Sequence, residues 1–247
     1  MVPKRGMALV REKLKQVPGI RSTYYLSMVV AQMAADRWRK PASFDEIFRA
    51  TPDPWQSGSE AERERFALTL SMLRASGEDT FDTAVELGCA EGIFTEMLAP
   101  LCTRLLALDF SRVALDRAQQ RLTHFPGVTF QRWDMRRQPL PGPFDLVAAM
   151  GVVTSLNRPV DVRRVLEMIV RAMKPGGFLI FSDVRQSKVF EDAWWGRFML
   201  RGGEQIRRLF TRHRELELLS SADTPSHVFA LFRRSLHSAP RETRHPR

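Results

Sequence analysis

Apolar runs of strand length alternate with helical segments along the middle of the chain. This alternation is typical of a parallel sheet whose two faces are covered by helices. The strands predicted from the runs are 83–87, 105–109, 129–132, 146–150 and 178–182.

The pattern changes after the fifth strand. Two more apolar runs, 215–219 and 228–232, are joined through the short segment Thr224-Pro225-Ser226. Such closely joined strands must be antiparallel, because a parallel crossover needs about a dozen residues or more. The predicted fold is therefore α/β, with a doubly wound, mostly parallel seven-stranded sheet, a C-terminal antiparallel hairpin and additional N-terminal helices.

Helical patterns precede the sheet. The predicted segments are a basic amphipathic helix at 7–17, a second helix running from Ser22 toward Trp38, and a third at 60–73. The first two either pack on the main domain or lie on a membrane surface. We expect three parts: an amphipathic helical extension at 1–50, a catalytic domain at 51–234 and a basic disordered tail at 235–247.

The charge of the chain favours anionic partners without choosing among them. Lys and Arg number 38 against 28 Asp and Glu, a formal charge of +10, which attracts nucleic acid, anionic lipid or an acidic substrate. Two cysteines are too few for a disulfide framework, which fits a reducing compartment. No uncharged stretch approaches the roughly 20 residues of a membrane-spanning helix. We expect a cytoplasmic protein, with peripheral contact at the inner membrane face as an open alternative.

A segment with distinctive chemistry ends the first predicted strand and reads Glu86-Leu87-Gly88-Cys89-Ala90-Glu91-Gly92. Its two glycines allow a tight turn and close approach of a ligand, while the amides of the next helix point at that ligand. A dinucleotide fingerprint would need a third glycine, but position 90 is Ala and position 93 is Ile. Glu86 instead stands where it can face the positive end of a ligand.

Two more carboxylates follow the next two strands. Asp109 closes the second strand, where it can accept hydrogen bonds from both hydroxyls of a ribose. Asp134 follows the third strand, where it can accept from an adenine amino group while Met135 packs on the ring. Three acidic residues at neighbouring strand ends suit a ligand with an amine, a ribose and an adenine but no phosphate. Each could instead cap a turn.

These segments together resemble the successive motifs of class I S-adenosylmethionine-dependent methyltransferases. The other matching motifs are Trp133-Asp134-Met135, Phe144-Asp145-Leu146-Val147 and Met173-Lys174-Pro175-Gly176-Gly177-Phe178. The resemblance covers about residues 80–232. It implies the Rossmann-like methyltransferase fold and S-adenosylmethionine as cofactor, with Glu86 at the methionine end, Asp109 at the ribose and Asp134 by the adenine.

The full set of predicted cofactor-binding residues is Glu86, Gly88, Cys89, Ala90, Gly92, Asp109, Phe110, Asp134, Met135 and Met150. Ala90 departs from the family, whose commonest version has glycine there. We therefore expect a slightly wider loop or a slightly shifted cofactor. The motifs imply no metal ligand.

The upstream segment Asp53-Pro54-Trp55 and the run 62–70 are similar to the nodulation protein S group, which methylates an amine on chitooligosaccharides. The chain departs from that group at Ala61, where a tyrosine is usual, and at 151–156, where the group has an acidic, tyrosine-bearing segment. Both departures leave the acceptor open: an N or O atom of a small molecule, a saccharide or a glycolipid.

Methyl transfer depends more on the alignment of donor and acceptor than on acid–base groups of the protein. Methyl transfer from a sulfonium is an in-line displacement with a neutral leaving group, so alignment of the acceptor supplies most of the acceleration. A hydroxyl acceptor also needs a base. We predict Asp183 as the catalytic residue, with a turn-cap role as the alternative. Asp53 either reaches the cofactor through a lid or belongs to an ordinary Asp-Pro turn, and His227 is more typical of the final hairpin turn.

Other functional alternatives stay open. Trp194, Trp195 and Phe198 suit either stacking on an acceptor ring or inward packing. The arginines between 197 and 214 suit a phosphate or a solvated face. An RNA methyltransferase agrees with the charge but lacks the Asn/Asp-Pro-Pro-aromatic segment of base-amino methylases, so nucleic acid is disfavoured. An inactive binding module of this fold is the remaining alternative.

Overall fold

A computed structural model of the chain describes residues 41–156, 159–185 and 202–236. The backbone divides into two compact units, 1–46 and 47–247, and the second contains the whole sheet. The predicted helices at 7–17 and 22–38, the aromatic residues 194–198 and nearly all of the basic tail lie outside the described residues.

Seven strands form one sheet in the spatial order β3-β2-β1-β4-β5-β7-β6. The strands are β1 (Phe81–Leu87), β2 (Cys102–Asp109), β3 (Val128–Arg132), β4 (Phe144–Met150), β5 (Met173–Val184), β6 (Leu216–Asp223) and β7 (His227–Arg234). The first five are parallel, whereas β7 pairs antiparallel with both β5 and β6. The predicted fold is confirmed, including the C-terminal hairpin.

The helices lie between and before these strands. They are α1 (Pro41–Ala50), α2 (Glu60–Arg74), α3 (Ile93–Leu98), α4 (Arg112–Arg121), α5 (Pro159–Ala172) and α6 (Gly203–Thr211), with short 3-10 turns at Ala99–Leu101 and Val153–Ser155. Ser59 caps α2, because its side chain accepts from the backbone N–H of Glu62 at 3.4 Å. The apolar face predicted for this helix is buried as expected, at Phe66, Leu70 and Leu73.

The sheet has a buried cluster on each face. One cluster packs α5 and α6 against residues such as Val147, Phe181 and Phe232. The other packs α2 and α3 against residues such as Ala148 and Ile180. Side chains of neighbouring residues alternate between the faces, so a strand enclosed on both sides reads as a continuous apolar run. This is why the run at 146–150 was recognisable in the sequence.

Element boundaries differ from the prediction where turn residues continue a strand. β5 begins at Met173 and runs through Pro175-Gly176-Gly177, with a register shift against β4 between Phe144 and Leu146. β6 extends four residues beyond its predicted end at 219. β7 begins one residue earlier than predicted, so His227 is its first residue rather than part of the turn. Helix α1 has no counterpart among the predicted elements.

The amino edge of the sheet is tied together by Asp145. Its Oδ2 accepts hydrogen bonds from the backbone N–H of Thr83 at 2.9 Å and the Thr83 hydroxyl at 2.7 Å, and it pairs with Lys174 Nζ at 2.8 Å. Burial alone would raise the pKa of Asp145, but these hydrogen bonds outweigh it and the pKa is lowered. Asp145 therefore joins β4 to both neighbouring strands, at the edge opposite the glycine segment.

Within the described residues, the helices are too short or too polar to cross a bilayer.

Candidate active site

The segment from Gly88 to Gly92, here called the glycine loop, turns the chain from β1 into α3. Both glycines have left-handed backbone, with φ of 72° at Gly88 and 80° at Gly92. A Cβ at Gly88 would lie 2.6 Å from Cγ2 of Val152, and one at Gly92 would lie 2.6 Å from Cδ1 of Leu122. Glycine is therefore favoured at both positions for two reasons: the backbone is left-handed, and a side chain would not fit.

Ala90 adopts a left-handed conformation at the centre of the loop, with φ of 48°. The backbone N–H of Ala90 donates to Asp109 Oδ2 at 2.9 Å, which holds the loop against the end of β2. Asp109 Oδ1 accepts from the backbone N–H of Ser111 at 2.8 Å, and the Asp109 carbonyl accepts from Trp133 N–H at 2.8 Å. Asp109 thus links three segments of the predicted cofactor site, two through its carboxylate and one through its backbone carbonyl.

Glu86 lies in β1 immediately below the glycine loop and is only 2% exposed. Its Oε2 has no hydrogen-bond partner within the described residues. Burial raises the pKa of Glu86 to about 7, the neighbouring Thr95 hydroxyl lowers it and the nearby Asp109 raises it. A buried carboxylate oxygen without a donor is costly, and a cationic ligand group would satisfy it.

Asp134 lies just after β3, at the same edge of the sheet. Its Oδ1 accepts from the backbone N–H of Arg136 at 3.0 Å, and Oδ2 lies 3.5 Å from Nε of Arg137. The guanidinium of Arg136 also stands 5.8 Å from the ring centroid of Phe110. Asp134 therefore stabilises a turn through one oxygen, as the capping alternative predicted, and Phe110 lies beside that turn.

The remaining predicted cofactor residues are mostly apolar and buried. Cys89 is 3% exposed, and burial raises the pKa of its thiol well above the usual range, with the Asp109 and Glu86 charges acting in the same direction. Met150 ends β4 and is 9% exposed, whereas Met135 is half-buried against the core. These side chains can shape a cavity wall, but their roles toward a cofactor stay predictions.

Strand pairing brings the predicted residues to one edge. β1 lies between β2 and β4, with Glu86 opposite both Ala107 and Ala148, so the strand ends carrying Glu86, Asp109 and Met150 are neighbours. Asp134 follows β3, one strand beyond Asp109. The carboxyl edge of an open α/β sheet is where ligands of this fold class bind. A buried, unpartnered carboxylate oxygen beneath the glycine loop, together with acidic residues at the neighbouring strand ends, fits an adenosyl sulfonium.

Asp183 is fully buried near the end of β5. Its Oδ1 accepts from the Thr154 hydroxyl at 2.6 Å and from the backbone N–H of Val184 at 2.9 Å, while Oδ2 accepts from Thr154 N–H at 3.0 Å. Burial raises the pKa of Asp183, although these hydrogen bonds and the charge of Arg65 oppose that. The contacts describe a carboxylate that fixes the segment after β4, so the catalytic role of Asp183 stays a prediction.

Asp53 also serves its own turn. Its two carboxylate oxygens accept from the backbone N–H groups of Ser57 and Gly58, each at 2.8 Å. The backbone N–H of Asp53 donates to Glu91 Oε2 at 3.1 Å, and the other oxygen of Glu91 pairs with Arg117. The turn before α2 is thereby attached to the glycine loop, which gives the Asp-Pro-Trp segment a structural task.

Sequence reasoning missed a polar cluster between α2 and the end of β5. Arg65 is largely buried, donates to the Ser182 hydroxyl at 3.0 Å and pairs with Glu62 Oε2 at 2.6 Å. Glu62 and Arg65 occur three residues apart on a helix whose other buried face is apolar. Charged residues at that spacing also occur on solvated faces, so the sequence alone did not distinguish the two cases.

The chain is similar to known proteins in both its sequence and its fold. A sequence profile of the nodulation protein S (NodS) family matches residues 46–223. Nodulation protein S of Rhizobium tropici is 27% identical over 241 residues, covering 87% of this chain and 98% of that protein. Nodulation protein S of Bradyrhizobium diazoefficiens is 34% identical over 137 residues, covering 55% of this chain and 65% of that protein.

The solved structures agree with the sequence relatives. The N-methyltransferase NodS from Bradyrhizobium japonicum WM9, in complex with S-adenosyl-L-homocysteine, has a TM-score of 0.68 and 27% identity, covering 79% of this chain and 98% of that one. The family profile spans well over half of the chain and includes the glycine loop. The chain therefore belongs to the nodulation protein S family and is an S-adenosylmethionine-dependent methyltransferase.

Proposed function

We propose that the protein transfers a methyl group from S-adenosylmethionine to an amine nitrogen of a saccharide acceptor. The observation that best supports binding of S-adenosylmethionine is the buried, unpartnered Oε2 of Glu86 beneath the glycine loop. Support for an amine comes from the relative whose structure is described as an N-methyltransferase. A neutral amine needs alignment but little further activation, which suits a site where Asp183 is already engaged by Thr154.

Each residue of the site has a distinct task in this proposal. Glu86 accepts hydrogen bonds from the amino group of the methionine moiety, and Asp109 accepts from the ribose hydroxyls. Asp134 accepts from the adenine amino group. The cofactor supplies a methyl carbon made electrophilic by the positive sulfur, and the electron pair of the broken bond stays on that sulfur. Gly88 and Gly92 give the loop its shape, because a Cβ at either position would collide with Val152 or Leu122.

Isothermal titration calorimetry tests whether the protein binds the cofactor through Asp109. Titration of S-adenosylmethionine and of S-adenosylhomocysteine into the protein should show micromolar binding that Asp109→Ala weakens by at least about 10-fold, since two charge-assisted hydrogen bonds are lost. Asp82→Ala is the matched control, because Asp82 lies at the opposite end of the sheet and is exposed. Equal affinity of the two variants would remove the ribose assignment.

S-adenosylmethionine with a labelled methyl group tests which acceptor is methylated. The proposed acceptor is a chitooligosaccharide whose non-reducing sugar carries a free amine, and the fully acetylated oligosaccharide is its control. Transfer to the first alone supports an amine. Transfer to both indicates a hydroxyl, and label in an RNA fraction of a cell extract would favour the alternative considered from the charge of the chain.

We also propose that the N-terminal segment contacts anionic membrane. The support is the sequence pattern at 7–17, where Arg11, Lys13 and Lys15 accompany an apolar stripe. Sedimentation with anionic but not neutral liposomes is the expected result. Loss of sedimentation on replacing these three residues by glutamine would support the assignment, and unchanged sedimentation would refute it.

A further inference from the structure

A polar cluster lies at the carboxyl edge of the sheet, on the side of β4 away from β2 and β3. It consists of Glu62 and Arg65 from α2, Ser182 from β5 and His227 from β7, and it is here called the α2 cluster. Arg65 joins Glu62 through an ion pair and Ser182 through a hydrogen bond. His227 lies opposite Val184 in the β5–β7 ladder, near enough for the charges of Arg65 and Glu62 to act on its pKa. None of them belongs to the predicted cofactor set.

Strand geometry places these groups on one face of the sheet. His227 pairs with Val184 across the β5–β7 ladder, and paired residues point to the same face. Residues two apart on a strand also share a face, so Ser182, Val184 and His227 point the same way. Arg65 reaches Ser182 from that side, and α2 packs against both β5 and β7. Asp183 points to the opposite face, toward Thr154.

The cluster also borders the cofactor site. Helix α2 packs on α3, the helix that begins at the glycine loop, through the Phe66 and Phe94 rings, whose centroids are 5.0 Å apart. The backbone N–H of Gly151, directly after β4, donates to the Ser182 carbonyl at 2.7 Å. The cluster thus stands one strand away from the end of β4, where an acceptor beside the methyl donor would lie.

Two atoms of the cluster are available to a ligand. Arg65 occupies only Oε2 of Glu62, and Oε1 has no hydrogen-bond partner among residues 41–156, 159–185 and 202–236. The ring of His227 contacts the Ser226 hydroxyl through Nδ1 at 2.9 Å, whereas Nε2 has no partner in the same described ranges. The Glu62 side chain is 21% exposed, so it can be reached from solvent.

Burial lowers the pKa of His227, the positive charge of Arg65 lowers it further and Glu62 opposes them. Other charged groups near this end of β7 pair among themselves: Arg185 with Glu204, and Arg207 with Asp223. His227 is therefore a neutral imidazole at neutral pH. When Nδ1 carries the hydrogen toward Ser226, Nε2 accepts a proton.

We propose that the α2 cluster is the acceptor-amine site, in which Glu62 binds the protonated amine of the saccharide and His227 takes a proton from it. This inference rests on the proposed function, because it names the groups that prepare the acceptor for that reaction. Arg65 is a positioning residue, since it holds the Glu62 carboxylate and contacts Ser182 without needing to touch the acceptor.

The proton step balances without a further reagent. An amine beside electron-withdrawing oxygens, like an α-amino group, has a pKa of about 8, so it is mostly protonated near pH 7, and its ammonium form has no lone pair. One N–H bond breaks, its electron pair remains on nitrogen, and the proton passes to Nε2 of His227 and then to water. The freed pair forms the new nitrogen–carbon bond. The methylated amine keeps a positive charge, which Glu62 continues to balance.

Acceptor binding to the product-loaded protein tests Glu62 without turnover. The protein saturated with S-adenosylhomocysteine is titrated with a chitotetraose carrying a free amine on its non-reducing sugar. Glu62→Gln should weaken binding by about 10- to 100-fold, since a charge-assisted hydrogen bond is lost. Glu64→Gln is the control, because Glu64 is exposed on the same helix. Equal affinities for the two variants would overturn the role of Glu62.

The pH profile tests His227. His227→Asn should lower kcat by about 100-fold near pH 6.5, the smaller end of what a positioned base contributes, and recover toward wild type above about pH 9, where the amine is already neutral. The binding constant of the tetrasaccharide should change little. His124→Asn is the control, since His124 is exposed after α4. A rate deficit that is constant with pH would overturn the proton-accepting role.

Different results would contradict the proposed function and the role of the α2 cluster. If wild-type protein does not bind S-adenosylmethionine, or binds it and transfers no methyl group to the amine, the proposed function is wrong and this inference falls with it. If wild-type protein methylates the amine while Glu62→Gln and His227→Asn behave like their controls, the function stands and the α2 cluster is not its acceptor site.

Discussion

Replacing Glu86 by glutamine should make the cofactor-free protein more stable at alkaline pH. The rise of the Glu86 pKa from 4.5 to about 7, caused first by burial, corresponds to about 3 kcal/mol of lost folding free energy once the carboxylate ionises. The side chain is 2% exposed, so solvent screens little of this cost. Glutamine has nearly the same shape and carries no charge.

The direction in which stability changes with pH follows from the protons that Glu86 binds in the folded and unfolded chain. Below about pH 4.5 the carboxyl is protonated in the folded and the unfolded chain, and the favourable contribution of the folded state is fully present. Between that pH and about 7 the unfolded chain releases a proton that the folded chain retains, so stability is lost progressively. Above about pH 7 the folded protein ionises as well, and the difference from Glu86→Gln reaches its full value.

Urea unfolding at several pH values measures the effect. The free energies of unfolding of wild type and Glu86→Gln should agree within about 1 kcal/mol near pH 4.5 and differ by about 3 kcal/mol near pH 8. Glu96→Gln is the control, because Glu96 is a more exposed acid on α3 and should show little pH-dependent difference. An unchanged or lower stability of Glu86→Gln near pH 8 would refute the reasoning. The same variant should bind S-adenosylmethionine more weakly, since the carboxylate is costly to folding but complementary to the ligand.

Three other outcomes are expected from the structure. Gly88→Ala should destabilise the protein by about 2 kcal/mol or more in urea unfolding, because a left-handed backbone and a 2.6 Å clash act together, whereas Gly77→Ala, with φ of 88° and open space, should cost about 1 kcal/mol. Asp145→Asn should lower stability at neutral pH by about 1–2 kcal/mol, and the difference should shrink as the pH falls below 3.8, because a carboxylate with a lowered pKa contributes fully above its unfolded pKa and loses that contribution as the pH falls through its folded pKa. Cys89 and Cys102 should react slowly with a thiol reagent at about pH 8 in the folded protein and fully in urea, because burial raises both thiol pKa values, that of Cys102 to about 12; fast labelling of native Cys89 would contradict its placement.

The central strands were predictable because their signal is local. A strand enclosed on both faces needs a continuous apolar run, and the runs ending at Leu87, Asp109 and Met150 end where the structure ends β1, β2 and β4. The start of β5 was not predictable, since Pro175-Gly176-Gly177 has the composition of a turn. Met173 pairs with Phe144 and Phe178 with Leu146, so these residues form an irregularity within β5, and such pairing is a long-range property.

Sequence by itself determined the fold class, the glycine loop and the strand ends that carry Glu86, Asp109 and Asp134, because spacing along one chain fixes where a strand stops and which residues come next. Only the tertiary structure decided what those groups contact: that Glu86 keeps an unpartnered oxygen, that Asp183 is engaged by Thr154, and that Glu62, Arg65 and Ser182 are bonded together on the face of the sheet to which His227 points. Ser182 and His227 are brought to one face of the sheet by antiparallel register, across a separation of 45 positions that no local pattern records. Burial and hydrogen-bond partners depend on such distant neighbours, and they decide the chemistry of each side chain.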